Sequence, residues 1–215
     1  MGNKEAIEKE RARLKDEMNR GYFADIAELK KHGGKIGMTN KIIIPAVEAV
    51  KFPAFEATYS DGRTLTLPIT TAANSASDSS NLAIPKASLI CLLFRANSQA
   101  MVDSWSMPFL DAFRNSKDVQ LFEVCFIELR LLSLKPIKWM LLRTMRKSTP
   151  DRKDNLLQRQ IVYSFGDQYY FRKELKILNL LTGYIFLIDK FGRIRWQGFG
   201  QATLEESSSL LLGEK

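Results

Sequence analysis

The stretch "GYIFLIDKFGRIRWQGFG", Gly183 to Gly200, sets Gly192, Gly198 and Gly200 beside Arg193 and Arg195. A phosphate-cradling loop, a sheet hairpin and a surface that grips another protein all compete for it. A P-loop needs glycines ending in Gly-Lys-Ser/Thr between a strand and a helix, because backbone donors must converge on phosphate while a hydroxyl reaches magnesium. No such ending occurs, and Thr203 stands where the third glycine of G-x-G-x-x-G is due after Gly198 and Gly200. The hairpin reading accounts for the whole stretch. "YIFLI" (184–188) is a buried-strand run, "DKFG" (189–192) a turn with glycine where a left-handed residue is wanted, and "RIRW" (193–196) alternates charged and apolar. Alternation sets Arg193 and Arg195 on one face and Ile194 and Trp196 on the other. The two arginines read either as solvated residues or as contacts for carboxylates on a partner.

Upstream, the segment 167–181 spaces Phe171, Leu175, Leu178 and Leu181 as a helix would, and "IVYSF" (161–165) before it reads as a short strand. "ASLICLLFRAN" (87–97) and "VQLFEVCFIELRLL" (119–132) are apolar enough for strands covered on both faces. Between them Met101, Trp105, Phe109 and Phe113 recur every fourth residue, which predicts a helix with one aromatic face, capped by Ser98 and bent at Pro108. Strand, helix, strand in this order makes a parallel crossover unit. Earlier still, "FPAFEATYSDGRTLTLPI" (52–69) reads as two strands about an Asp61-Gly62 turn, followed by a polar insert at 70–81. "TLEESSSLLL" closes the chain as a helix whose capping box is Thr203 with Glu206.

"SLKPIKWMLLRTMRK" (133–147) predicts a helix started by Pro136, with Ile137, Met140, Leu141 and Thr144 sharing a face. Lys135, Lys138, Arg143, Arg146 and Lys147 accompany this apolar material with no acid among them, so with Trp139 they form the candidate for a membrane surface or an acidic partner. The competing reading is a sheet-covering helix with solubilising ends.

The 215 residues favour one domain with extensions, and the net charge of +8 favours an acidic partner without naming it. The mixed charges of residues 4–20, with Ile7, Leu14 and Met18 as a narrow apolar stripe, predict a solvated helix and a poor nucleic-acid arm. A second helix over 23–30 stops at Gly33-Gly34. The layout expected is an arm over 1–45 and an α/β domain over 50–215. The opening residues have neither a secretory apolar block nor a transit-peptide composition, and Ala6 argues against myristoylation. No run approaches the roughly 18 to 20 apolar residues of a membrane span.

One histidine, His32, and two cysteines far apart, Cys91 and Cys125, leave little for zinc or for a Ser-His or Cys-His nucleophile. Hairpin, β-α-β, helix, β-hairpin and terminal helix together give the fold class: α/β, a thioredoxin-like three-layer α/β/α sandwich with an added N-terminal β-hairpin and a helical arm. Redox members of that fold hold a thiolate where the first core strand meets its helix. This chain has "RANSQAM" (95–101) there, and Thr182-Gly183 where a cis-proline would precede the next strand.

The sequence resembles the mitochondrial assembly factors for the membrane sector of ATP synthase. The resemblance rests on "RGYFADIAELKKHGGKI" (20–36), "FRANSQAMVDSWSMPFLDAF" (94–113) and "YYFRKELKILNLLTGYIFLIDKFGRIRWQGFGQAT" (169–203), and covers most of the chain from about residue 20. It implies a non-catalytic chaperone, peripheral at the matrix face of the inner membrane. The implied partners are the newly made a subunit and, as a further candidate, the c-ring. No cofactor, metal, nucleic acid or small-molecule substrate is expected. Contact-surface candidates are Arg95, Trp105, Arg193, Arg195 and Trp196. The alternative is a thiol-disulfide oxidoreductase or peroxiredoxin-like enzyme with a displaced cysteine, Cys91 or Cys125.

Overall fold

The apolar runs at 87–93, 119–127 and 184–188 assemble as strands because each finds a neighbour on both edges and a layer on both faces. In the computed structural model, residues 7, 8, 10–15, 22–31, 35–70, 84–128, 135–148 and 157–212 are described. The Gly33-Gly34 stop, His32 and residues 71–81 of the polar insert lie outside them, as do the side chains of Lys135, Arg146 and Lys147.

In chain order come α1 (Tyr22–Lys31), β1 (Phe55–Tyr59), β2 (Thr64–Leu67), β3 (Ala87–Leu93), α2 (Gln99–Ala112), β4 (Val119–Ile127) and α3 (Lys135–Ser148). They are followed by β5 (Arg159–Phe165), α4 (Tyr169–Glu174), β6 (Tyr184–Asp189), β7 (Ile194–Phe199) and α5 (Leu204–Leu212). One seven-stranded sheet has the order β2-β1-β5-β4-β3-β6-β7. β3, β4 and β5 run parallel, while β6 and β7 are antiparallel additions beside β3. The β4-β3-β6-β7 block with α2 as its crossover is the thioredoxin-like core, and the β1-β2 hairpin extends it beyond β5.

The two faces bury separate clusters. Ile90, Leu92, Phe122, Val124 and Phe186 point to the side closed by Phe52, Phe171 and Ile177. Leu89, Cys91, Leu121, Ile185 and Leu187 point to the side closed by Val102, Trp105 and Phe109 of α2 and Leu210 of α5. Alternation along each strand does this sorting.

Four local expectations need correction. Ser98 does not cap α2: the chain enters through a 3-10 turn at Ala96–Ser98, and the Ser98 hydroxyl donates to the carbonyl of Arg95 at 3.0 Å. The helix expected over 167–181 is only the six residues of α4. It closes where Lys176 takes φ +55° and the Ile177 amide donates to the Arg172 carbonyl, a reversal that consumes the last turn.

On α3, the buried side chain is Leu142, while Met140 and Thr144 of the expected face are exposed. In the last hairpin, a register shift opposite Leu187/Ile188 sends Ile194 into one cluster and Trp196 into the other, so the two do not share a face.

Upstream of β1, residues 40–52 form a strap along the outer edge of β7. Asn40 and Ile44 amides donate to Gln197 and Arg195 carbonyls, Phe52 donates to Gly192, and the Ile194 amide donates to Val50. The strap thereby satisfies an edge that would otherwise present unpaired amides. α1 docks through Asp25, whose carboxylate accepts from the Leu180 amide and whose carbonyl accepts from the Asn179 side chain. In the helical stretch at 10–15, Arg13 pairs with Asp167 and lies 5.3 Å from the Tyr169 ring centroid, while Ile7 and Leu14 stay exposed.

Candidate functional site

Chemistry in this architecture is expected where β3 hands over to α2. Phe94 is buried, and Arg95, Ala96 and Asn97 are exposed at the sheet's end. Opposite them runs the segment 181–183 that leads into β6. The Asn97 amide donates to the Leu181 carbonyl at 3.4 Å, and the Thr182 hydroxyl lies 3.6 Å from the Met101 sulfur. A Cβ at Gly183 would stand 3.0 Å from Val102 Cγ2 and 3.6 Å from Met101 Cβ. Glycine here lets the segment lie flush on the first turn of α2, and Thr182 is fully buried. The segment where a redox member would carry its cis-proline is thus packed directly on α2 through a glycine.

Behind this junction lies a polar cluster that composition and periodicity did not reveal. Glu123, in the middle of the apolar β4 and 1% exposed, faces the α2 side of the sheet. Arg159 at the start of β5 binds it through both Nε and Nη2, and also pairs with Asp103 of α2 at 2.9 Å. Gln99 bridges the two carboxylates, at 3.1 Å to Asp103 and 3.3 Å to Glu123. Burial pushes the Glu123 carboxyl above its usual range, and the Arg159 guanidinium offsets part of that rise. The cluster joins α2 to β4 and β5 and is closed by its own members, which gives it the character of a structural brace.

The sequence-predicted contact residues separate into three kinds. Trp105 and Trp196 are both 0% exposed and pack T-shaped at 5.3 Å, so neither offers side-chain surface to a partner. Their indole N–H groups donate to the carbonyls of Gly200 and Asn40, both at 2.7 Å.

Arg193 and Arg195 are half-buried and already engaged. Arg193 pairs with Asp189 at 2.8 Å and donates to the Ala46 carbonyl, and Arg195 donates to the Ile44 carbonyl at 2.7 Å. They hold the strap to β7, which removes them as free carboxylate contacts. Burial tends to raise the Asp189 carboxyl, yet amide and guanidinium donors from Arg193 and the Phe191 amide hold it below its usual value. Arg95 alone of the five stands exposed at the junction.

Of the expected membrane-facing residues, Lys138 turns inward, donating to Thr58 Oγ1 at 3.2 Å over the Phe165 ring. Trp139 and Arg143 face outward. Among the described residues no helix is long and apolar enough to cross a membrane, and no group of three or more His, Cys, Asp and Glu side chains is placed to hold a metal ion.

A family model described as ATP10 protein matches residues 1–214. The chain belongs to the ATP10 family. That family ties it to the assembly of ATP synthase. No curated protein matches the sequence.

Among solved structures, the ATP10-family chain is similar to StoA from Bacillus subtilis, at 15% identity and a TM-score of 0.41 over 78% of this chain and 99% of that one. It is also similar to the thioredoxin domain of a thiol-disulfide oxidoreductase from Bacteroides vulgatus, at 12% identity and a TM-score of 0.43 over 75% and 94% of the two chains. A third is BsSco, a member of the Sco family of cytochrome c oxidase assembly proteins, at 13% identity and a TM-score of 0.44 over 80% and 95%.

In this ATP10-family chain neither cysteine has the surroundings of a nucleophile. Cys91 is fully buried in β3, and burial followed by the Glu123 charge pushes its thiol well above the ordinary value. The same two causes push Cys125 up to about 11. At neutral pH the thiolate fraction of Cys125 is then on the order of one in ten thousand. Iodoacetamide at pH 7 is expected to leave both thiols unlabelled in the folded chain and to label both in urea. Mass spectrometry reads the result, and rapid labelling of either thiol in the folded protein would restore the displaced-cysteine alternative.

Proposed function

We propose that the chain is a non-catalytic assembly factor for the membrane sector of mitochondrial ATP synthase, acting peripherally at the matrix face of the inner membrane. In this reading it binds the newly made a subunit and promotes its union with the c-ring. The observation that carries it is the β3–α2 junction: a thioredoxin-like core whose reactive position bears Arg95–Gln99 without a thiol and which has Thr182-Gly183 where a redox member would carry its cis-proline. A scaffold kept without its chemistry is suited to holding a partner, and family membership ties the chain to ATP synthase assembly. Arg95 is the contact residue of this reading, since it is exposed and beside the junction.

A photo-reactive residue placed at position 95 tests it in intact mitochondria. The expected result is capture of newly made a subunit, enriched over unrelated membrane proteins, with c subunits appearing at later times. Equal capture of a subunit and unrelated membrane proteins would sink the reading.

A further inference from the structure

α3 has the most one-sided charge of any helix among the described residues. Its fourteen residues include Lys135, Lys138, Arg143, Arg146 and Lys147 and no acid. The fold divides it into two faces. Lys138 and Leu142 turn toward β1, β5 and the hairpin tip, Lys138 reaching Thr58 and Leu142 remaining only 6% exposed. Positions 136, 139, 140, 143 and 144 form the exposed face, on which Trp139 and Arg143 border the hairpin tip at Ser60, Asp61 and Gly62. At its centre Trp139 is 62% and Met140 61% exposed. The Arg143 guanidinium carbon lies 5.4 Å from the Trp139 ring centroid, so cation and indole make one outward unit.

Single exposed apolar side chains are ordinary on a protein surface. An exposed indole next to an exposed thioether, on a helix carrying only positive charge, is a more specific combination. Indole is suited to the boundary between water and hydrocarbon, where its ring is buried and its N–H stays wet. Positive charge beside it matches an anionic headgroup layer, and a helix without acid meets no repulsion there. An acidic protein would satisfy the cations, but it would also need an apolar pocket shaped for both Trp139 and Met140. A bilayer supplies charge and apolar depth together without shape complementarity.

We infer that the outward face of α3 docks on an anionic phospholipid surface, with Trp139 and Met140 entering the headgroup region and Arg143 meeting a lipid phosphate. The inference stands on α3 alone and does not depend on the assembly reading.

The tryptophan inventory makes the test direct. Of the three tryptophans, Trp105 and Trp196 are fully buried, so a change in emission on adding lipid reports Trp139. The full chain is mixed with vesicles of phosphatidylcholine alone and of phosphatidylcholine with phosphatidylglycerol. Emission is expected to shift to the blue only with the anionic vesicles, and added salt is expected to reverse it. In co-sedimentation Arg143→Gln should lower partitioning about fivefold, the effect of one surface cation. The double variant Trp139→Ala, Met140→Ala should fall to the level seen with neutral vesicles.

All three side chains are exposed, and circular dichroism checks that the variants fold. Unshifted emission with anionic vesicles, or equal sedimentation with both vesicle types, overturns the inference. So does an Arg143→Gln chain that loses capture of the a subunit while the parent ignores lipid, since the face would then belong to a protein. Lipid binding without a-subunit capture would remove the assembly reading and leave this one standing.

Discussion

Trp196→Ala is expected to lower the unfolding free energy by about 3 to 5 kcal/mol, the range for removing a buried tryptophan. That is a large part of the roughly 5 to 15 kcal/mol that holds a domain folded. The indole is completely buried, edge-on to Trp105, on the sheet face that α2 and α5 cover. The surroundings cannot collapse onto the space it leaves without moving α2. Gly198 shows how closely the site is fitted, since a Cβ there would stand 2.6 Å from Trp196 Cη2. The same indole donates to the Asn40 carbonyl, so its loss also loosens the strap along β7. Trp196→Phe keeps most of the packing but leaves that carbonyl only the Ser209 hydroxyl, at 3.4 Å, and about 1 kcal/mol is expected from it. Urea unfolding followed by circular dichroism measures both. A loss below about 1 kcal/mol for the alanine variant contradicts the core assignment and returns Trp196 to the list of surface contacts.

The Gly183–Gly200 stretch was legible as a hairpin because its turn carries local chemistry: Gly192 takes φ +77°, and Asp189 accepts from the Phe191 and Arg193 amides. The bulge beside it was not legible. A period of two assigns Ile194 and Trp196 to one face, and only pairing with Leu187 and Ile188 shows the slip. The spacing over 167–181 overruns the six residues of α4 for a similar reason. Leu175, Leu178 and Leu181 keep helical spacing, yet Lys176 is left-handed and the Asn179 side chain accepts from the Leu181 amide, so the spacing belongs to a loop.

On α3, apolarity alone favoured Met140. The fold instead turns a lysine inward, Lys138, with its ammonium over the Phe165 ring, a contact that a hydrophobic pattern does not weigh. Arg193 and Arg195, like the two indole N–H groups, find acceptors within the chain. Asp189 and the strap carbonyls sit where a foreign carboxylate was anticipated.

The brace behind the junction left one visible trace, a glutamate inside the run "VQLFEVCFIEL". Its partner Arg159 comes 36 residues later, and only the β4–β5 register brings the two together.

Arg159→Met should cost about 3 kcal/mol at neutral pH, the lower end for breaking a buried ion pair, because Arg159 itself is partly in solvent and screened. What remains is Glu123, buried, with Gln99 at 3.3 Å as its nearest remaining donor and Asp103 repelling it. Burial already raises the carboxyl of Glu123 in the intact protein, and Arg159 works against that rise. Without the guanidinium the folded-state value climbs further, while the unfolded-state value stays that of a free side chain. Between the two the folded state binds the extra proton, so stability must rise as pH falls through that window.

The variant's deficit should therefore be greatest at neutral pH and shrink steadily on acidification. The parent, with its smaller shift, should show the same sign more weakly. Glu123→Leu combined with Arg159→Met removes the stranded charge and should recover most of the loss, as apolar replacement of buried pairs does elsewhere. Urea unfolding at several pH values between neutrality and mild acid decides it. A deficit that does not change with pH, or a double variant no more stable than Arg159→Met, would mean that Glu123 is not ionised in the folded chain and that the brace works through packing alone.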